Sequence, residues 1–220
     1  MAASHLRIAE LTLAAPADAL DALERFYRDW ELPVSRAGDR LEVAVGDARL
    51  RFAATADGEP FYHFALLVPG DGFAAAHAWL GERAAILPDP ETGRDVFDFG
   101  FWDAQACYCH DPAGNIVELI AHRDRPGAFA GGRDLRAISE IGLVTPDTHG
   151  TARRLRDEHG LELWSGDLDA LGFVGRKAHT LILCHPGRGW LPTGRPAEPH
   201  PVEAVLAGAR APRFRLHPAG

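Results

Sequence analysis

The sequence predicts an α+β fold made of three βαβββ units, and three observations carry that prediction. A nine-residue strand motif occurs three times: "IAELTLAAP" from Ile8 to Pro16, "FYHFALLVP" from Phe61 to Pro69 and "ISEIGLVTP" from Ile138 to Pro146. Aligned, all three read apolar, any residue, Glu or His, apolar, small, Leu, two residues, Pro, which puts Glu10, His63 and Glu140 at one position. Each copy is followed by a segment with apolar residues at helical spacing. Short apolar runs then follow, parted by turns rich in Gly and Asp.

The first helix is "ADALDALERFYRDW", with Leu20, Leu23, Phe26 and Tyr27 on one face. Three strand-like pieces follow it: "LPVSRAG", "RLEVAVG" and "ARLRFAAT". The second helix is "GFAAAHAWLGER", with Phe73, Ala76, His77 and Leu80 at helical spacing. Its strands are expected at "RAAILPD", "AQACYCH" and "NIVELIAH", with "PDPETGRDVFDFGFWD" as a long loop. "DPAGN" joins the last two strands, where Pro112 suits the first bend and Gly114 the positive φ of a tight hairpin loop. "DRPGAFAGGRD" lacks periodicity and is rich in Gly and Pro, so residues 124–136 are expected to be a linker. The third unit, 137–220, has a shorter helix ending at Gly160, strands in "LDALGFVG" and "AHTLILCHPG", and a Pro-rich tail. "VEAVLAGA" and "PRFRLH" are expected as late strands.

With 220 residues, 46% hydrophobic and 25% charged, the chain has the profile of a soluble globular protein with ample core. A net charge of -8 and no basic run argue against nucleic acid as a partner. No apolar run approaches the ~20 residues that span a bilayer. No basic flank followed by an apolar core opens the chain, and Cys107, Cys109 and Cys184 do not form a disulfide framework, so a reducing cytoplasm is expected.

Strand alternation assigns faces. Leu11, Leu13, Phe64, Leu66 and Leu119 face the helices, leaving Glu10, His63 and Glu118 on the uncovered face. An imidazole and two carboxylates from three strands suit a divalent first-row cation. Alternatively, Arg51 reaches the same space and compensates the carboxylates with an ion pair. His63 taken alone reads as a core histidine. Its match to Glu10 in the repeat makes it a ligand. Glu140 has no evident partner in its own unit and reads as structural or solvated. Cys107 and Cys109 share a face opposite Tyr108 and His110 and read as small core residues. Phe97, Phe99, Phe101 and Trp102 roof a pocket or form a satellite core. "HPGRGWLP" reads as a turn with Trp190 packed in it, without chemistry.

"YHFALLVP", "YCHDPAGNIVELIAH" with its DPxGNxxE core, and the paired βαβββ units resemble the vicinal oxygen chelate superfamily. That superfamily includes glyoxalases, extradiol dioxygenases and bleomycin-resistance proteins. The resemblance covers residues 5–122 and, more weakly, 137–190. It implies a curled, partly open mixed sheet with helices outside, formed by units one and two (1–123), and metal ligands at Glu10, His63 and Glu118. Arg51 falls at a fourth ligand position. The implied activity is that of a metal-dependent enzyme on a small oxygen-bearing substrate, with Mn, Fe, Ni, Co or Zn as the ion. Glu118 or Glu10 would be the base, and Arg51, Tyr108, His110 and Trp102 would contact substrate. The other function the resemblance allows is a metal-free protein that sequesters a small molecule. The unpaired third unit is expected either to be capped by the tail or to complete a homodimer.

Overall fold

The computed structural model describes residues 5–217. Unit one comprises β1 (Arg7–Pro16), α1 (Leu20–Asp29), β2 (Val34–Ala37), β3 (Arg40–Val45) and β4 (Ala48–Thr55). Unit two comprises β5 (His63–Val68), α2 (Phe73–Gly81), β6 (Phe97–Phe99), β7 (Ala104–His110) and β8 (Ile116–His122). Unit three comprises β9 (Ala137–Val144), α3 (Thr148–His159), β10 (Leu163–Asp167), β11 (Leu171–Arg176) and β12 (His179–Cys184). The tail adds the hairpin β13 (Gly189–Trp190) and β14 (Arg195–Pro196), then β15 (Val202–Ala207) and β16 (Arg213–Leu216). The three βαβββ units and both late strands thus form in the order the sequence predicts.

Two strands differ. The first strand after α2 is β6, inside the aromatic segment expected to be a loop, while "RAAILPD" contributes only an isolated bridge from Ile86 to Cys109. Phe97 and Phe99 have apolar neighbours to pack on, and that burial outweighs the surrounding turn residues. Strand β10 in unit three carries Gly166 and Asp167, which mask its pattern.

Each unit closes in the same way, its first strand running parallel to its last: β1 with β4, β5 with β8, β9 with β12. The units join differently from expectation. The antiparallel partner of β5 is β9, so units two and three share one continuous layer, β6-β7-β8-β5-β9-β12-β11-β10. Strand β1 instead takes β15 over Arg7 to Leu13 and touches β9 only at Ile8↔Ile138. The pairing of units one and two within 1–123 is therefore corrected. The tail explains why: Val202, Ala204 and Leu206 alternate inward and complete the edge of unit one, freeing unit three for unit two. With β9 paired on both edges, the reason for expecting a dimer through an open third unit disappears.

The expected linker is a packed brace. Phe129 meets Trp79 of α2 edge-on, with ring centroids 5.4 Å apart, and Leu135 is fully enclosed. Gly132 lies so close to α1 that a Cβ there would fall 1.6 Å from the Trp30 carbonyl oxygen, which only glycine avoids.

Alternation divides the interior into two cores. Leu11, Leu13, Phe64, Leu66, Val117 and Leu119 pack with Leu23, Phe73, Ala76 and Leu80 of the helices. Cys107 and Cys109 belong to this core. On the other face of the layer, Ala65, Leu67, Tyr108, Ile116, Ile120, Phe173 and Ile182 form a second core inside the curl. Among the described residues, no helix is long and apolar enough to cross a membrane.

Candidate metal centre

The site lies on the inner face, where β8, β5 and β9 run side by side. Ala65 on β5 is paired with Glu118 on β8 and with Glu140 on β9. His63 precedes Ala65 by two residues and so points to the same face. The methyl of Ala65 leaves room for the three longer side chains to lean together. One donor atom each from His63, Glu118 and Glu140 lies within 4.8 Å of the others, and all three residues are buried. His63 Nε2 is 3.3 Å from Glu118 Oε2.

The two carboxylates of the cluster have one imidazole beside them. Among the described residues, neither carboxylate has a lysine or arginine in ion-pair contact. His63 Nδ1 and Glu140 Oε1 are buried without a hydrogen-bond partner. Burial, and next the charge of Glu118, hold the Glu140 carboxyl well above the usual carboxylate range. Burial first, then the charges of Glu118 and Glu140, raise the Tyr108 phenol well above its ordinary value. Two enclosed carboxylates beside an imidazole fit a divalent cation, which would offset their charge.

Of the ligand set named from the sequence, the structure brings together His63 and Glu118 but not Glu10. Glu10 lies in a separate cleft of about 530 Å³ with Arg51. Arg51 Nη1 donates to Glu10 Oε2 at 2.6 Å and Nε donates to Glu42 Oε2 at 2.7 Å. This is the ion-pair alternative, realised in unit one and away from the cluster. Glu140, expected to be structural or solvated, takes the place of Glu10, because β9 rather than β1 is the neighbour of β5.

The strand register shows what each unit keeps at these positions. Glu118 lies opposite the residue two after His63. The same step from Glu10 leads to Thr12, opposite Arg51, and from Glu140 to Gly142, opposite Ile182. Unit one therefore holds a Glu–Arg pair, unit two a His–Glu pair, and unit three a Glu beside an apolar residue. The cluster has three protein donors and an apolar fourth position.

A cavity of about 230 Å³ opens above the cluster, walled by Phe99, Phe101, Trp102, Tyr108, Phe173 and Trp190. Tyr108 and Trp102 thus line it, as the sequence suggests. Arg51 and His110 do not; His110 Nδ1 instead lies 3.3 Å from the Asn115 carbonyl in the hairpin loop. Trp190, which the sequence left without chemistry, stacks at 38° on His63 with centroids 4.9 Å apart. Only Gly142 hinted at this: the small position of the motif, Ala65 in unit two, is Gly here, and a Cβ would meet Trp190 at 2.7 Å.

No family model and no curated protein matches the sequence. Solved structures do. A protein of Bacillus subtilis subsp. subtilis str. 168, described as a "putative dioxygenase", superposes with a TM-score of 0.58 at 13% identity, over 96% of this chain and 84% of its own. Glyoxalase I from Zea mays superposes with a TM-score of 0.50 at 15% identity, over 81% of this chain and 67% of its own. At such identities the likeness is one of fold. With three βαβββ units, two of them joined around an inward-facing His/Glu/Glu cluster, the chain has the fold of the vicinal oxygen chelate superfamily.

Proposed function

We propose that the chain is a metal-dependent enzyme of the vicinal oxygen chelate type, acting on a small substrate with adjacent oxygens. The observation that carries this is the buried cluster of His63, Glu118 and Glu140, with donors within 4.8 Å and, among the described residues, no lysine or arginine in ion-pair contact with either carboxylate. These residues would hold a divalent Mn, Fe, Ni, Co or Zn ion, all of which suit one nitrogen and two oxygen donors. Bound there, such an ion supplies Lewis-acid polarisation of substrate oxygens.

The chain's own residues define the rest. The aromatic walls make the surroundings of the cavity floor apolar, which strengthens electrostatic interactions there. Tyr108 stays a neutral phenol, paired in the sheet with Glu118 and lining the same cavity. Glu118 is the proton carrier in this reading, since it combines a neighbouring imidazole at 3.3 Å with a place in the cavity lining.

Metal analysis of protein prepared without a His tag tests the reading. About one divalent ion per chain is expected, lost in His63→Ala with the fold retained. Metal-free protein that takes up none of the five ions would overturn it. The second reading, a metal-free sequestering protein, is favoured by the apolar walls and by Ile182 at the fourth position. It requires ligand binding that EDTA does not alter.

A further inference from the structure

We infer that the tail segment from Arg188 to Trp190 is the selectivity wall of this cavity, and that it selects a flat, conjugated, singly ringed anion. The inference deepens the reading above, but it depends on that reading only for which end of the ligand faces the cluster.

Trp190 is not a loose cover. Its hairpin pairs Gly189 with Pro196 and Trp190 with Arg195. Arg195 lies over the Phe61 ring at 3.3 Å and donates from Nη1 to the Gly114 carbonyl at 3.1 Å. Ala197 N donates to Arg188 O at 2.7 Å, and Gly187 N to Ala197 O at 2.8 Å. The hairpin is thus bolted to the "DPAGN" loop and to the start of unit two. The indole sits in a notch that exists because residue 142 has no side chain, since a methyl there would lie 2.7 Å from the ring. Such fixed placement makes the indole face a rigid wall rather than filler.

Phe99, Trp102 and Phe173 line the same cavity, with Trp102 and Phe173 edge-to-face at 4.4 Å. A lining this rich in aromatic rings favours a planar π-system over a saturated, puckered chain. The volume agrees: a cavity of about 150 Å³ accepts benzene, and this one, at about 230 Å³, has space for one ring with small substituents. Arg188 is the one lysine or arginine among the lining residues. Its Nη1 donates to the Gly189 carbonyl at 2.9 Å and its guanidinium lies 5.7 Å from the Trp190 ring. It is half-buried at the rim, where it can meet a negative substituent. Adjacent oxygens at the cluster and an anionic group at Arg188 would span the cavity.

The experiment is calorimetric titration of the full chain, with and without Zn²⁺, using 3,4-dihydroxybenzoate, catechol and D-glycerate. The flat anion should bind at least about tenfold tighter than either the neutral ring or the puckered anion. Arg188→Gln should lower the affinity for 3,4-dihydroxybenzoate to the level of catechol and leave catechol unchanged. Trp190→Ala should cost about five- to tenfold, with Trp190→Phe close to the parent. Gly142→Ala should mimic the loss by pushing the indole aside, and adding Trp190→Phe should restore binding, which separates wall geometry from misfolding. Equal affinity for the three probes, or parental affinity in Trp190→Ala and Arg188→Gln, overturns the inference. Zn²⁺ uptake without probe preference overturns it alone. Probe preference without uptake of any ion overturns the metal reading and leaves this one standing.

Discussion

Glu118 and Glu140 stand on opposite sides of a single alanine, each in register with Ala65 of the strand between them. Neighbouring strands are ~4.8 Å apart, so backbones two strands apart can share an ion only if their side chains lean over the residue between. Filling that space should break the site without touching a donor. Ala65→Val is expected to reduce divalent-metal affinity at least about tenfold while costing about 1–3 kcal/mol from overpacking. Metal titration and urea melts of the same preparation check both values. Undiminished affinity would mean that the carboxylates do not converge over Ala65.

The two acidic residues at matched repeat positions should behave oppositely. Glu140→Gln is expected to weaken metal binding about 10- to 100-fold and to leave the metal-free fold as stable or more stable, because a carboxylate enclosed beside another is costly. Glu10→Gln should leave metal stoichiometry unchanged and cost at most about 1 kcal/mol, as expected for a roughly one-third exposed ion pair with Arg51. Metal analysis of both variants side by side decides between β1 and β9 as the supplier of the third donor.

That contrast marks where the sequence ceased to be legible. The repeat, the helices and most strands could be read because they rest on local periodicity and on turn chemistry such as "DPAGN". His63 and Glu118 could be read because they lie within one unit, whose first and last strands pair by rule. The third donor depends on which unit sits beside unit two, and three first strands of the same apolar pattern contain no local signal for that choice. The tail makes it: Val202, Ala204 and Leu206 claim the edge of β1, some 190 residues away in the chain, and leave β9 for β5. Trp190 was illegible for the same reason, since its contact with His63 joins a hairpin to a strand far upstream.

Asp111 gives the fold a pH dependence of its own. Its carboxylate accepts from Tyr27 Oη at 2.9 Å, Asn115 Nδ2 at 2.8 Å, and the backbone N–H groups of Ala113 and Asn115 at 3.0 and 3.1 Å. Burial nevertheless outweighs these bonds and pushes its pKa up to about 6, from 3.8. A raised acid binds its proton more tightly in the folded state, so this group's stabilisation is full below pH 3.8 and is lost as pH rises to about 6. The loss is on the order of 2–3 kcal/mol. Denaturant melts at pH 4 and pH 7.5 should show Asp111→Asn gaining on the parent by roughly that amount at the higher pH. Parallel behaviour at the two values would show that Asp111 ionises in the fold as it does in the open chain.

The last strands should be needed for unit one to fold at all. Strand β15 buries Val202, Ala204 and Leu206 against β1, and β16 adds Phe214 and Leu216. Removing residues 202–220 deletes these side chains, the four large ones worth about 1.5–3 kcal/mol of burial each, and a sum near 6–12 kcal/mol rivals the whole stability of a typical domain. It also strips β1 of its antiparallel partner and leaves a long edge rich in Leu and Ala, the kind of edge that pairs with other chains. The truncated chain is expected to aggregate or to sediment as an oligomer. Phe214→Ala in the full chain, losing one buried ring, should remain soluble but lose about 3–5 kcal/mol. A soluble monomer lacking 202–220, with native circular dichroism, would show that unit one closes without the tail, and the choice of β9 by β5 would then need a cause within the three units themselves.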